Sequence, residues 1–354
     1  MAFLYEHILR PCLFQLETEK AHDLGVKSLE IIGRSRLARS ALKFFLQKKS
    51  SPVHAFGLSF PNVIGQAAGL DKDGRFPAAS EALGFGHIEV GTVTPFAQNG
   101  NNKPRLFRLP ADEALVNRMG FNNFGAENLV KNLENFYPKS LRSIPLGINI
   151  GKGRETPLDC ALDDYGKCFN IVAKQADYIT VNISSPNTPD LRNLHHQEHL
   201  LPFLSGLRDT QKEWERRNCK VSPPCLIKIS PDENFRTIEN IIGLISDLGF
   251  DGVIACNTTI NKNLVNYFDS NVAGGISGKP IGSQANKIIR FISKLTGGNL
   301  PIIGCGGVYN YDSAQEKLDA GATILQIYTG FIYKGPCLPK RLSESLTNRS
   351  NLLI

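Results

Sequence analysis

No run of 18 or more apolar residues occurs in the 354-residue chain, so no segment reads as crossing a membrane. A short apolar stretch with a small-residue cleavage site is also missing near Met1, and export is not expected. None of the eight cysteines (Cys12, Cys160, Cys168, Cys219, Cys225, Cys256, Cys305 and Cys337) forms a CxxC pair, and Cys225, Cys256 and Cys305 stand inside apolar, strand-like runs. That usage argues against a disulfide frame or a zinc site and for buried thiols in a reducing, cytoplasmic setting. Strong charge of one sign is scarce outside the first 50 residues. There, nine Lys/Arg face five Asp/Glu, more than half of the net charge of +7. The near balance of the remainder excludes a basic stripe for nucleic acid.

What is present is a soluble composition, 42% hydrophobic and 21% charged. From residue 60 it has a rhythm. Apolar or β-branched runs occupy 63–69, 87–93, 146–151, 178–184, 225–230, 252–257, 301–306 and 324–328. Helical patterns lie between most of them, at 158–176, 235–248, 284–295 and 312–320. Eight strands alternating with helices predict a parallel sheet closed as a (β/α)8 TIM barrel. The rival, a doubly wound open sheet, would open its first unit with GxGxxG, and Gly65-Gln-Ala-Ala-Gly-Leu-Asp71 does not match.

Barrel enzymes work at the C-terminal ends of their strands. Apart from Asp71, those ends hold no acid, so the paired carboxylates of a glycosidase and a His/carboxylate metal cluster are both missing. The densest stretch is Tyr178-Ile-Thr-Val-Asn-Ile-Ser-Ser-Pro-Asn-Thr-Pro189, where a buried strand passes within one residue into hydroxyls and amides on a proline-stiffened turn. Such a turn suits gripping a planar polar molecule; the plainer alternative is an Asx/Ser turn capping the next helix. Gly304-Cys-Gly-Gly307 and Tyr328-Thr-Gly330 follow strands seven and eight, the usual barrel phosphate site, and Gly274-Gly-Ile-Ser-Gly278 reads as a third flexible stretch. Lys72 and Lys228 end strands one and five, where a cation needs an anion, an electron-rich ring or a route to solvent. His195 and His199 are spaced for one helix face, but a solvated helix is the simpler reading, as is an exposed helix end at Trp214-Glu-Arg-Arg217.

Residues 1–50 read as helices: an apolar face broken at Pro11, a second helix capped by Thr18 and ending at Gly33, and a third starting at Ser35. Leucines and phenylalanines among Arg36, Arg39, Lys43, Lys48 and Lys49 fit either an interfacial helix or helices packed on the barrel.

Several motifs are long enough to carry a resemblance. Ala68-Gly-Leu-Asp-Lys-Asp-Gly74, Gly91-Thr-Val-Thr-Pro95, Lys103-Pro-Arg-Leu-Phe-Arg108, Asn117-Arg-Met-Gly-Phe-Asn-Asn123, Gly147-Ile-Asn-Ile-Gly-Lys152 and Asn182-Ile-Ser-Ser-Pro-Asn-Thr188 together resemble the class 2, quinone-dependent bacterial dihydroorotate dehydrogenases. The resemblance implies an FMN barrel at 51–354 that oxidises (S)-dihydroorotate to orotate in pyrimidine synthesis. Ser185 would be the base, with Thr188 and Phe121 in its proton relay. It places FMN against Ala68, Gly69, Leu70, Asp71, Lys72, Thr92, Asn149, Asn182, Lys228, Cys256, Gly278, Gly307, Tyr328 and Thr329. The substrate would meet Lys72, Asn117, Arg118, Met119, Gly120, Phe121, Asn182, Asn187, Asn257 and Thr258. Cys256 departs from the Thr or Ser expected there and lacks the hydroxyl that would hydrogen-bond FMN. Residues 1–50 would form a quinone tunnel lined by His22 and Arg108, for ubiquinone or menaquinone. The same likeness implies a monomer, peripheral on the cytoplasmic face of the inner membrane, with no metal and no nucleic-acid partner.

Overall fold

The computed structural model describes residues 2–47, 51–266 and 273–350. Eight parallel strands close into a barrel: β1 Ile64–Gln66, β2 His87–Val93, β3 Leu146–Ile150, β4 Tyr178–Asn182, β5 Cys225–Lys228, β6 Gly252–Ala255, β7 Ile302–Cys305 and β8 Ile324–Ile327. They follow one another around the barrel in chain order, β8 pairing with β1 through Leu325 opposite Ile64. Each expected strand is present, and all but β2 end one to three residues short of the expected C-terminal bound. The strands are buried on both faces because helices such as Phe235–Asp247 and Gly282–Leu295 cover them with isoleucines. Ile238, Ile241, Ile242 and Ile245 on the first, and Ile288, Ile289 and Ile292 on the second, join the main core. At the N-terminal end of the barrel a hairpin, Val53–Ala55 with Leu58–Phe60, brings Phe56 and Phe60 against Tyr178 and His87.

Three short strands interrupt the barrel pattern. Leu106–Leu109, Ala114–Asn117 and Gly275–Gly278 form an antiparallel sheet, with Asn117 opposite Gly275. The stretch expected to be a flexible glycine loop at 274–278 is therefore a strand. Its lack of side chains is a packing requirement: a Cβ on Gly275 would lie 2.0 Å from Thr258 Oγ1, and one on Gly278 would lie 2.4 Å from the Glu113 carbonyl oxygen.

The N-terminal segment is helical, with three departures from expectation. Pro11 does not break the first element. A π-turn, Tyr5–Leu9, leads into Arg10–Gln15, and proline at the second position of that helix has no amide to lose. The cap of Thr18–Arg34 is Glu17, whose carboxylate accepts from the backbone of Glu19 and Lys20 at 2.9 Å each. That helix passes Gly33 by one residue, Gly33 being buried against Ala79. Ser35 caps Arg36–Leu46 as expected, its hydroxyl accepting from Ala38 N–H at 3.2 Å. Lys48 and Lys49 lie outside the described residues.

One side of these helices is anchored. Glu19 and Arg105, both buried, pair at 2.8 Å, and Lys43 pairs with the buried Glu81. The other side leaves Leu37 85% and Phe44 81% exposed, with Phe3 and Ile31 also open. The packed reading thus holds for one face, and the other is an exposed apolar face beside Arg36, Arg39 and Lys43. Among the described residues no helix is long and apolar enough to cross a membrane. At the far end of Gln197–Asn218, Trp214 is buried edge-on against Phe169; only its charged neighbours are at the surface. His195 ends a 3-10 turn before that helix and hydrogen-bonds Glu233 at 2.8 Å, so it does not share a helix face with His199.

Candidate active site

A cavity of about 1060 Å³, open solvent at its mouth included, occupies the C-terminal end of the barrel. Each strand end contributes to its wall or backs it, because the chain turns from apolar to polar where each strand stops. The antiparallel sheet roofs it through Asn117, Ser277 and Gly278.

One end is rich in amides. Asn187 Nδ2 donates to the Asn117 carbonyl at 3.0 Å and to its Oδ1 at 3.2 Å, joining the turn after β4 to the roof. Asn182 Nδ2 donates to Thr92 Oγ1 at 3.1 Å, and Asn257 Nδ2 donates to Asn182 Oδ1 at 3.1 Å. Amides suit a ring of alternating N–H and C=O groups because each both donates and accepts. Ser185, 5% exposed, lies in the wall between them, its Oγ accepting the Asn187 N–H at 3.3 Å. Thr188 Oγ1 is buried with no hydrogen-bond partner among the described residues. Phe121, in the left-handed region at φ 52°, completes this side.

Glycine dominates the other end. Gly278, Gly306 and Gly307 have φ of 106°, 97° and 78°, and a Cβ on Gly307 would meet Gly282 Cα at 2.2 Å. Backbone stripped of side chains in this way is an anion cradle, since N–H groups can approach phosphate oxygens closely. Ser277 and Thr329 hydroxyls meet beside it at 2.8 Å. Lys72 and Lys228 lie on the walls, and neither forms an ion pair among the described residues. Burial lowers the Lys72 ammonium to about 8, with Asp73 opposing the shift and Arg105 adding to it. Burial pushes the Cys256 thiol up to about 12, so it lines the cavity as a neutral, weakly polar group. A cavity with a glycine cradle at one end, two unpaired lysines and amides at the other fits a flavin mononucleotide with a small planar acid against it.

Ala68, Gly69, Lys72, Thr92, Asn182, Lys228, Cys256, Gly278, Gly307, Tyr328 and Thr329 all line the cavity, as do Asn117, Met119, Gly120, Phe121, Asn187, Asn257 and Thr258. Four expected residues do not line it. Leu70 turns into a small core with Val26, Phe76 and Ala79. Asp71 accepts the Arg75 and Phe76 N–H groups at 2.9 Å each, a buried carboxyl raised by desolvation to about 6. Arg118 donates outward to the Pro104 carbonyl at 2.8 Å. Asn149 stands one layer behind, accepting from Thr92 Oγ1 at 2.5 Å. Neighbours in a contiguous motif share a segment without sharing a direction, so a motif includes residues that turn away from the cavity. Conversely Gln326, Ile281 and Val308 line the wall although no motif points to them. Gln326 is a polar residue inside an apolar strand, and that was its only mark in the sequence.

His22 and Arg108 are outside the cavity wall. Burial, with the Lys72 charge adding to it, lowers the His22 imidazole to about 4, so it is neutral at pH 7. Arg108 stacks on Phe14 at 4.7 Å and donates to the Leu13 carbonyl at 3.0 Å, tying the roof sheet to the N-terminal helices.

The dihydroorotate dehydrogenase family model matches residues 51–349. A protein of Chloroflexus aurantiacus named dihydroorotate dehydrogenase (quinone) is 42% identical over 99% of this chain and 98% of its own. One of Proteus mirabilis with the same name is 46% identical over 96% of this chain and 99% of its own. Among solved structures, a dihydroorotate dehydrogenase of Eimeria tenella in complex with ferulenol is similar at TM-score 0.81 and 32% identity, covering 95% of this chain and 92% of that one. With matches of this length on both chains, and with the barrel and its cavity as described, the chain belongs to the dihydroorotate dehydrogenase family.

Proposed function

We propose that the chain oxidises (S)-dihydroorotate to orotate, with FMN as cofactor and a quinone, ubiquinone or menaquinone, as acceptor. The observation that carries this reading is the cavity divided into an amide end holding Ser185 and a glycine cradle beyond two lysines. The reaction removes a proton from C5 of the substrate and a hydride from C6. FMN held in the cavity would supply the hydride acceptor and the redox link to the quinone.

The chain's own residues do the rest. Asn117, Asn182, Asn187 and Asn257 hold the ring so that its C5 faces the Ser185 hydroxyl. Ser185 takes that proton as its own proton leaves toward Thr188, whose buried and unpartnered Oγ1 has the capacity to accept it. Burial keeps water from competing, which a weak base such as serine requires. Lys72 balances negative charge on the substrate carboxylate or the flavin's pyrimidine edge. Arg118 and Leu70 act as backbone spacers, Asp71 braces the turn after β1, and Asn149 braces Thr92.

We assign quinone approach to the N-terminal helices; neutral His22, which feels the Lys72 charge, and Arg108 stacked over Phe14 support that reading. The exposed apolar face beside Arg36, Arg39 and Lys43 suits peripheral contact with an anionic bilayer, on the cytoplasmic side. The test is dihydroorotate oxidation with a ubiquinone analogue, fumarate and NAD in parallel. Quinone is expected to be preferred. A preference for fumarate or NAD would overturn the acceptor, and no oxidation with any of them would overturn the substrate.

A further inference from the structure

Beneath the cavity, on β2, lies Glu89, fully buried and outside the cavity wall. No basic side chain pairs with it among the described residues. It takes four hydrogen bonds instead. Oε1 accepts from Asn149 Nδ2 at 2.8 Å, and Oε2 accepts from Thr180 at 3.0 Å, Gln326 at 2.8 Å and the Tyr178 hydroxyl at 3.2 Å. A carboxylate is costly in such a place, and an amide of the same shape would satisfy several of these partners.

From Oε1 a chain of bonds runs up to the cavity, joined at its upper end by Ser184, whose N–H and hydroxyl donate to Asn182 Oδ1 and whose Oγ accepts from Asn257 Nδ2. Asn149 gives its NH2 to Glu89 and so presents its oxygen to the Thr92 hydroxyl. With its proton spent on Asn149, Thr92 Oγ1 accepts from Asn182 Nδ2, and Asn182 Oδ1 accepts from Asn257 Nδ2. Asn257 Oδ1 closes the chain of bonds on its neighbour's amide, Thr258 N–H, at 2.8 Å. A row of amides and hydroxyls has two self-consistent directions, because turning an amide over exchanges oxygen for NH2 with almost no change of shape. An acceptor-only group at one end and a donor-only group at the other leave one direction.

We propose that Glu89 is a positioning residue that sets the donor–acceptor polarity of the ring-facing amides Asn182 and Asn257 through Asn149 and Thr92. This deepens the proposed function and rests on it, since the amides are read as facing the pyrimidine ring. Glu89→Gln exposes the role. Three donors converge on Oε2 and one on Oε1, so the glutamine oxygen takes the Oε2 side and its NH2 turns to Asn149. Asn149 must then present its oxygen downward and its NH2 to Thr92. Either the Thr92 proton is driven out into the cavity, or Asn182 reverses against the Ser184 N–H that now donates to it at 3.3 Å. In both cases an acceptor in the wall becomes a donor.

The experiment is orotate titration of the FMN-loaded protein by visible absorbance, on the wild type, Glu89→Gln and Thr180→Val. Thr180→Val removes one donor to Oε2 without altering direction and reports the purely structural cost. We expect Glu89→Gln to bind orotate on the order of tenfold more weakly and Thr180→Val to stay within about twofold of the wild type, with both melting lower. Glu89→Gln within about twofold of the wild type would overturn the proposal. Neutron diffraction from the deuterated wild-type holoenzyme decides the same point should Glu89→Gln fail to hold flavin. The expected result is Asn149 with its ND2 on Glu89, and the reverse orientation overturns the proposal. Wild-type protein that binds no orotate would sink the proposed function instead, and the neutron map would still judge Glu89.

Discussion

Replacing Lys72 by methionine is expected to stabilise the flavin-free protein while damaging its site. The ammonium lies on the cavity wall, in the turn after β1, and burial drops it from 10.5 to about 8. A fall of that size corresponds to roughly 3 kcal/mol against the charged form; water admitted by the cavity screens part of it, leaving about 2 kcal/mol. Because the folded state holds this proton less tightly than the unfolded one, the cost is fully present below pH 8. It is relieved as pH rises from 8 through 10.5, where the unfolded chain also loses the proton. Flavin-free Lys72→Met should therefore exceed the wild type by about 2 kcal/mol at pH 7 in urea unfolding, and the gap should close as pH approaches 10.5. The difference between the two proteins cancels every other titrating group. Orotate affinity of the flavin-loaded variant should fall in the same preparation. A gap under about 0.5 kcal/mol at pH 7, or one that persists unchanged at high pH, would refute the claim that Lys72 is held in strain for an anion.

Ser185→Ala should keep its yellow flavin yet lose flavin reduction by dihydroorotate at neutral pH in stopped flow; near-normal reduction would remove Ser185 as base. Gly307→Ala should purify with little flavin, because its new methyl group has nowhere to go but into Gly282 at 2.2 Å; a full complement of flavin would count against the cradle. Leu37→Glu with Phe44→Glu should abolish flotation with anionic vesicles and leave orotate binding unchanged, and flotation that survives would remove the N-terminal face as the membrane contact.

Strand positions were legible because β-branched runs buried on both faces have no other reading at that length. The cavity was legible for the same reason, since polar residues at the end of such a run face either the site or nothing. Legibility failed where direction mattered. Asp71 and Asn149 sit inside the right motifs, but one folds back to cap the helix start at Phe76 and the other supports Thr92 from behind. A motif records neighbourhood and not which way a side chain turns. The strand at 275–278 was hidden because its partner, Ala114–Asn117, lies far away in the chain, and glycines chosen for close approach look like glycines chosen for freedom. Pro11 misled in the opposite sense, since proline at a helix start is harmless and at a helix centre is not.

The roof over the cavity has a consequence for how the protein is made. Its strands come from the insertion after β2 and from the segment after β6, and the Thr329 hydroxyl that fastens to Ser277 arrives only after β8. The amide end draws on residues up to Asn257, after β6, while the cradle also needs Gly306, Gly307 and Thr329 from just past the last two strands of the barrel. On the proposed function, the flavin site is therefore complete only when the barrel has closed. On that reading, flavin content counts the molecules whose barrel has closed, independent of whether they turn over.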